Sequence, residues 1–314
     1  MKTRLARLGI LILVVLLALL PAYAGKYALY VVIHILLLSI FSLGFNLLFG
    51  YTGLLSFGQA GFYAVGAYGC GKILLAYPSL LVGIVGGTVI AGAVSLFLGF
   101  LCIRHTRIYF SMLTLSFGMM IFSLAWKWRD MTGGDDGLVG IPRAPLEIPG
   151  LFKINMAPME NYYYVVLAFA LLAIYLFHRI VHSPMGLAMQ GIRDSETRTA
   201  CIGISVRKYR LIAFTIAGLY AGLAGALLPP LESTVTPPLA HWSHSAEPVL
   251  ATLLGGVYSF AGPIVGSVLF YLLKDIIVRF TEYWQMCLGI IVVVLVMGFR
   301  GGVVSIFMRE RGRR

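Results

Sequence analysis

Polar side chains interrupt the apolar stretch FNLLFGYTGLLSFGQAGFYAV, which runs from Phe45 to Val65, and they include Asn46, Tyr51, Ser56 and Gln59. Polar groups at membrane depth are costly unless they hydrogen-bond across helices or face water. In an apolar chain they therefore indicate a lined cavity or an interhelical hydrogen bond. The turn from Gly50 to Gly53 separates two apolar segments and can dip into a membrane beside such a cavity.

A second set of polar residues lies near the carboxyl end of the chain. Asp275 and Arg279 are four residues apart, so on a helix they can neutralise each other, with Lys274 beside them. Glu247 directly precedes Pro248 at the start of an apolar segment. It either contacts the ammonium group of a ligand or caps a helix, and the sequence leaves both interpretations open.

The residue patterns do not indicate catalysis, a metal ion or a bound nucleotide. The histidines form no H-E-x-x-H pair, the serines have no nucleophile elbow, and the four cysteines share no metal-ligand spacing. His241 and His244 flank Trp242 and are expected at the surface. GAYGCGK, from Gly66 to Lys72, matches the first part of a Walker A loop, but Ile73 follows the lysine, and the surroundings are a membrane helix.

The elements that position these residues are apolar helices. The chain has 314 residues, of which 60% are apolar and 11% charged, and its mean hydropathy is +0.92, which excludes a soluble globule. The sequence predicts an all-α, polytopic membrane helical bundle with about ten transmembrane helices, some broken or re-entrant, in one domain over residues 1–314. The predicted spans are 8–23, 27–49, 57–77, 80–103, 107–126, 162–181, 210–229, 246–260, 264–281 and 286–300.

Charge gives the expected orientation. Most Lys and Arg residues fall in connections on one side, so both termini are expected in the cytoplasm, and the net charge of +12 reflects topology rather than nucleic-acid binding. Both termini lie on the same side only if the number of spans is even. An even number requires a break within 246–281, which we place at Ser259–Gly266. The first residues also resemble a secretory signal that ends at Ala22-Tyr23-Ala24, and cleavage would leave the remaining topology unchanged.

Small residues recur every three or four positions on several spans, which favours close helix packing. One such row occupies the fourth span and another the seventh: Gly83, Gly87, Ala91, Ser95 and Gly99; Ala213, Ala217, Ala221 and Gly225.

Two hydrophilic connections stand out. Between His182 and Arg210 we predict a short cytoplasmic helix that is capped by Ser183 and carries an Asp194–Arg198 pair. It is either a connecting or lipid-surface helix or a partner-docking element. In the other connection, the glycines and acids at 133–137 predict a tight turn rather than a calcium loop, because the remaining EF-hand carboxylates are missing.

Four motifs in order resemble the permease subunits of branched-chain amino-acid ABC importers, and the resemblance runs from Leu43 to Phe307. They are GYTGLLSFGQAGFYAVGAY, TGGDDGLVGIP, SPMGLAMQGIRDSETRTACIGISVRKYRLIAFTIAGLYAGLAGAL and EPVLATLLGGVYSFAGPIVGS. The resemblance implies a non-enzymatic translocator in the bacterial inner (plasma) membrane. It also implies a homologous permease partner, two cytoplasmic ABC ATPases that bind ATP and Mg, an extracytoplasmic substrate-binding protein and lipid contacts, with no cofactor in this chain and no nucleic acid.

The resemblance also assigns expected sites. A cytoplasmic coupling helix at 184–203 would meet an ATPase through Gly186, Arg193, Asp194, Glu196, Ala200 and Gly203. An extracytoplasmic loop at 132–160 would face the binding protein through Gly133, Gly134, Asp135, Asp136 and Gly137. The expected translocation pathway contains Asn46, Tyr51, Ser56, Gln59 and Glu247.

Three alternatives remain at this point. Closely similar permeases carry urea, short amides or aromatic acids. A secondary transporter would need its own ion or proton site. A membrane enzyme is disfavoured because the sequence has no catalytic cluster.

Overall fold

The computed structural model describes residues 15–21, 23, 25–104, 108–148, 152–298, 302 and 303. Much of the predicted first span, the cleavage-site residues Ala22 and Ala24, and the charged ends of the chain lie outside these residues. Residues 15–21 are helical, and their backbone carbonyls accept hydrogen bonds from Tyr163 and Tyr164.

The described chain is a helical bundle, so the predicted fold class is confirmed. The helices are α1 (Lys26–Asn46), α2 (Gln59–Ala76), α3 (Leu80–Cys102), α4 (Ile108–Lys127), α5 (Arg129–Thr132), α6 (Met159–Val181), α7 (Pro184–Asp194), α8 (Glu196–Cys201), α9 (Val206–Ala226), α10 (Pro229–Glu232), α11 (Trp242–Gly255), α12 (Gly262–Phe280) and α13 (Trp284–Gly298).

Five segments are long and apolar enough to cross a membrane among the residues described: Lys26–Tyr51, Leu80–Cys102, Ile108–Lys127, Met159–Val181 and Val206–Glu232. The other predicted spans in the described part of the chain are also helical, but they fall short of this criterion. α11 has 14 residues and α13 has 15, less than the roughly 20 needed for a full crossing. α2 is glycine-rich, and α12 carries three charged side chains.

α1 is the central helix of the bundle. It packs against α6, α9, α11 and α12, and its residues from Leu36 to Asn46 are all buried. Leu47–Tyr51 continues α1 as a π-helical turn, a rare element that often marks functional sites. Gly53 then adopts a left-handed backbone with φ of 73°, which ends the segment before α2.

The predicted rows of small residues form the contact among α2, α3 and α9. A Cβ atom added at Gly222 would overlap that of Ala91, and one added at Gly66 would lie 2.7 Å from the Gly222 Cα. A Cβ atom at Gly87 would lie 2.9 Å from the Cys70 amide nitrogen. Because each added methyl group would meet a neighbouring helix, these positions are packing faces, and Gly87 belongs to one of the predicted rows.

The structure confirms the break near Ser259–Gly266, since α11 ends at Gly255 and α12 begins at Gly262. The two helices then run close together. A Cβ atom added at Gly266 would overlap the Ala251 carbonyl oxygen and lie 2.8 Å from the Gly255 amide nitrogen. The hairpin therefore depends on glycine on both sides of its contact.

Within the described ranges, four short strands lie in the connections, a detail that the helical prediction missed. β1 (Leu138–Val139) pairs antiparallel with β4 (Thr234–Val235). β2 (Leu146–Ile148) pairs antiparallel with β3 (Phe152–Ile154), with Glu147 opposite Lys153. The first pair ties the long connection after α4 to the segment between α10 and α11.

Candidate functional site

The buried polar residues of the opening motif have unfilled hydrogen-bonding capacity. Asn46 and Ser56 are 0% exposed and Gln59 is 1% exposed. Within the described part of the chain, neither amide group nor the Ser56 hydroxyl has a hydrogen-bond partner. Because most buried polar atoms in native proteins are paired, these groups are candidates for contact with water or a ligand.

Asn46 and Tyr51 lie at the two ends of the π-helical turn. A Cβ atom added at Gly50, inside this turn, would overlap the Asn46 side-chain oxygen and lie 2.6 Å from the Val257 carbonyl oxygen. The Tyr51 ring packs edge-on against Phe177, with 5.9 Å between ring centroids. The turn therefore meets both α6 and the connection between α11 and α12.

Gln59 is the first residue of α2, and its neighbour joins α2 to α11. The Ala60 amide donates a hydrogen bond of 2.9 Å to the Ser245 hydroxyl. Ser56 precedes α2 in the buried connection from the π-helical turn. These candidates thus occupy one continuous segment, from the end of α1 to the start of α2.

Arg193 joins the hydrophilic helix α7 to this segment. Its Nη1 atom donates a hydrogen bond of 2.7 Å to the Gly50 carbonyl oxygen. Its guanidinium group lies 5.0 Å from the centroid of the Tyr258 ring, and it pairs with Asp194 at 3.0 Å. One side chain therefore contacts α7, the π-helical turn and the α11–α12 connection, a link that the sequence did not reveal.

The predicted single helix at 184–203 is two helices, α7 and α8. The Ser183 side chain accepts a hydrogen bond from Gly186 N, as the capping prediction requires, and Ser195 does the same for Arg198 N. The predicted Asp194–Arg198 pair is wrong, because the helix ends at Asp194 and the two residues belong to different helices. Asp194 pairs with Arg193 instead.

The expected ATPase-contacting residues differ in exposure. Asp194, Glu196, Ala200 and Gly203 are exposed, and Arg193 is half-buried. Gly186 is buried, and an added Cβ atom would lie 2.6 Å from the Val181 carbonyl carbon, so its role is packing. Leu187 and Ile202 expose 67% and 75% of their surface, and sequence reasoning did not single out Ile202.

A cavity of about 580 Å³ lies among the end of α7, the start of α8, the residues after the π-helical turn and α9. Its walls include Thr52, Arg193, Glu196, Thr197 and Arg210. Arg210 is only 4% exposed and forms an ion pair with Glu196. The sequence analysis missed this buried arginine. It could have been recognised as a basic residue in the first turns of an apolar helix.

Glu247 lines a different cavity, of about 340 Å³. Lys274 Nζ donates a hydrogen bond of 2.6 Å to Glu247 Oε1, and His244 Nδ1 lies 3.5 Å from Glu247 Oε2. The surface position predicted for His244 is wrong, since its ring packs edge-on against Tyr63 at 4.8 Å. The surrounding helices bring this imidazole into the bundle interior.

A second carboxylate, that of Glu232, lies next to the same cavity. Glu232 accepts a hydrogen bond of 2.6 Å from the Tyr30 hydroxyl and lies 3.0 Å from His34 Nε2. The predicted pair between Asp275 and Arg279 is confirmed at 2.9 Å. Lys274 therefore points to Glu247, while the other two charges of its cluster satisfy each other.

The loop residues 133–137 form the predicted tight turn. Gly134–Asp136 is one turn of 3₁₀ helix, and Gly133, Gly134 and Gly137 have φ values of 80°, 67° and 70°. The glycines are therefore required by the backbone. Asp135 and Asp136 are exposed, and no cluster of three metal-ligating side chains occurs in the described ranges.

Arg143 fastens this loop to α10. Its Nε and Nη2 atoms donate hydrogen bonds of 2.7 and 3.1 Å to the carbonyl oxygens of Pro230 and Leu231. We expect Arg143→Met to lower the free energy of local unfolding of the loop by about 1–2 kcal/mol, because charged donors contribute more than neutral ones. Hydrogen exchange across 138–148 would measure this, and Lys127→Met, at an exposed site, is the matched control. Equal protection in both variants would contradict the anchoring role.

Known proteins with similar sequences are membrane permeases. The family model described as "Branched-chain amino acid transport system / permease component" matches residues 27–297. The high-affinity branched-chain amino acid transport system permease protein LivM of Escherichia coli (strain K12) is 29% identical over 280 residues, 82% of this chain and 65% of that protein. The chain thus spans 65% of the length of that relative.

Two further relatives show weaker similarity. The permease protein LivH of the same transport system in Escherichia coli (strain K12) is 23% identical over 244 residues, 74% of this chain and 78% of that protein. The ribose import permease protein RbsC of Escherichia coli (strain K12) is 25% identical over 133 residues, 40% of each chain. No solved structure matches the chain at a significant level.

Proposed function

Because the chain belongs to the family of permease components of branched-chain amino acid transport systems, we propose that it is a transmembrane subunit of an ABC importer for these amino acids. The observation that carries the proposal is the family match over residues 27–297, which covers nearly all of the described segments that are long and apolar enough to cross a membrane. The chain would sit in the inner membrane as a multi-pass protein with both termini in the cytoplasm. It would form the path for the amino acid and would not itself be an enzyme.

The proposed partners are the other subunits of such an importer, each with its own function. The similarity to both LivM and LivH supports pairing with a second, homologous permease. Two cytoplasmic ATPases would bind ATP and Mg, and an extracytoplasmic binding protein would deliver the amino acid. This chain needs no cofactor of its own in that scheme.

The segment α7–α8 is the proposed ATPase contact. Its exposed acids and its exposed apolar side chains Leu187 and Ile202 provide a docking surface beside the 580 Å³ cavity. Arg193 would transmit a movement of α7–α8 to the π-helical turn, since it donates a hydrogen bond to the Gly50 carbonyl oxygen there. We propose that the polar residues of this segment line the translocation path near α7 or form a hinge beside it: Asn46, Tyr51, Ser56 and Gln59.

The loop at 132–160 is the proposed contact with the binding protein. Its strand pairing and Arg143 hydrogen bonds hold it on the bundle, while Asp135 and Asp136 remain exposed. Rocking of the bundle halves would then alternate access between this side and the α7–α8 side. Glu247 is proposed to lie on the same path.

Reconstitution tests the function directly. The chain is purified with the ATPases, permease and binding protein encoded beside it and is placed in lipid vesicles. We expect uptake of radiolabelled leucine that requires both ATP and the binding protein. The control complex carries an ATPase whose Walker A lysine is replaced. Uptake of urea without leucine, or uptake driven by an ion gradient without ATP, would contradict the proposal.

A further inference from the structure

The cavity beside Glu247 combines charge with an apolar wall. Helices α1, α11 and α12 and the segment around α10 contribute its lining. Glu247, Lys274, His34 and His244 provide the polar side. The apolar side consists of leucines and one phenylalanine: Leu37, Leu38, Phe41, Leu228 and Leu239.

The charged groups are partly buried and reach the cavity. The side chains of Glu247 and Lys274 are 17% and 27% exposed, and their oxygen and nitrogen atoms are 2.6 Å apart. Such a pair contributes little net stability compared with apolar residues, because the cost of removing both ions from water offsets their attraction. Ionisable groups in membrane bundles therefore more often mark ligand or ion pathways than structural needs.

The two charges of the pair are complementary to the ammonium and carboxylate groups of an amino acid. A zwitterion that enters between the two side chains presents its ammonium to Glu247 and its carboxylate to Lys274. One ion pair is then exchanged for two, so that neither protein charge is unpaired with or without the ligand. This exchange limits the cost of binding and of release, as a transport path requires.

A further acid contacts two of the residues that line the cavity. Glu232 accepts hydrogen bonds from Tyr30 and His34 at its edge. Glu232 therefore adds a second carboxylate near the one lysine ammonium of the cavity. Tyr63 and Tyr271 also line the cavity, and an aromatic ring attracts an ammonium group that lies over its face.

We propose that this cavity is a binding site for the zwitterionic head group and apolar side chain of the amino acid in transit. Glu247 holds the ammonium, Lys274 holds the carboxylate, and the leucine wall accepts the hydrocarbon side chain. The inference rests on the proposed function and adds the place within this chain where the substrate is recognised. Urea and short amides lack the charges to use it.

Direct binding tests the site. The purified importer in lipid nanodiscs, without its binding protein, is titrated with radiolabelled leucine. Glu247→Gln and Lys274→Met are each expected to weaken leucine binding at least tenfold, since each removes a charged contact. Arg279→Met removes a cation from the same helix outside the cavity and is expected to leave binding within twofold. Equal leucine affinity in all these proteins would overturn the proposal.

Competition tests the zwitterion requirement. Neither 4-methylpentanoate, which lacks the ammonium, nor 3-methylbutylamine, which lacks the carboxylate, is expected to displace leucine at equal concentration. If either compound competes as well as leucine, the two-ended recognition is wrong.

A charge exchange separates recognition from structure. The double variant Glu247→Lys, Lys274→Glu keeps an ion pair in the cavity but exchanges its poles. If the pair is merely structural, leucine binding returns in this variant, and the proposal is overturned. If the pair recognises the ligand, binding is expected to stay impaired while the complex still assembles.

The wild-type uptake assay separates the two proposals. Absence of ATP-driven leucine uptake by the wild-type complex would contradict the proposed function. Normal uptake together with unchanged leucine binding in the variants would contradict only this site.

Discussion

Replacement of Arg193 by alanine is expected to lower leucine uptake by roughly ten- to a hundredfold, while the ATPases remain bound and continue to hydrolyse ATP. The substitution removes the hydrogen bond to the Gly50 carbonyl and the contact with the Tyr258 ring. A hydrogen bond from a charged group contributes roughly 1.5–3 kcal/mol. Each 1.4 kcal/mol of lost coupling corresponds to about a tenfold change in the relevant equilibrium or rate.

The matched control is Arg207→Ala, which removes an equal charge from the exposed start of α9. Arg193→Lys is expected to recover only part of the activity, because an ammonium group does not reproduce the planar contacts of guanidinium. Copurification of the ATPases and ATP hydrolysis are measured alongside uptake. Loss of ATPase binding would make Arg193 a docking residue, and uptake as high as in the Arg207→Ala complex would defeat the coupling role.

Replacement of Gly266 by valine is expected to abolish accumulation of the folded chain. The new side chain would overlap the Ala251 carbonyl and force α11 away from α12. Overpacking costs about 1–3 kcal/mol even where side chains can adjust, and here the obstacle is backbone. Separation of the hairpin would also move Glu247 away from Lys274.

The same substitution at Gly289 provides the control, since an added Cβ atom there meets no described atom within 4 Å. Size-exclusion chromatography and thermal unfolding in mild detergent measure both variants. Gly289→Val is expected to behave like the wild-type protein. A Gly266→Val protein that elutes and unfolds like the control would contradict the close packing of this hairpin.

Local sequence patterns predicted much of the fold. The rows of small residues identified the α3 and α9 faces because packing against a neighbouring helix requires short side chains at a helical period. The break that was placed at Ser259–Gly266 overlaps the observed gap between α11 and α12. The Ser183 cap and the glycine turn at 133–137 were also predictable, since each depends on the backbone preferences of a few adjacent residues.

Contacts between distant segments could not be predicted in this way. Arg193 and Gly50 are 143 residues apart, and Lys274 and Glu247 are 27 apart on different helices. The sequence identified Glu247 as a polar outlier but offered no partner for it. The π-helical turn was missed because its widened backbone depends on its surroundings, and His244 was misplaced because its ring contacts arise only from the packed bundle.

The salt bridge between Lys274 and Glu247 also bears on how the chain enters the bilayer during synthesis. Each Lys, Asp or Arg at the centre of an inserting helix costs about 2.5–3.5 kcal/mol. α12 carries three charged residues in its carboxyl-terminal half, with Arg279 in the last turn, and it is not among the described segments that qualify as spans on their own. We therefore expect α12 to leave the translocon only together with α11, after α1 is already in place to receive both.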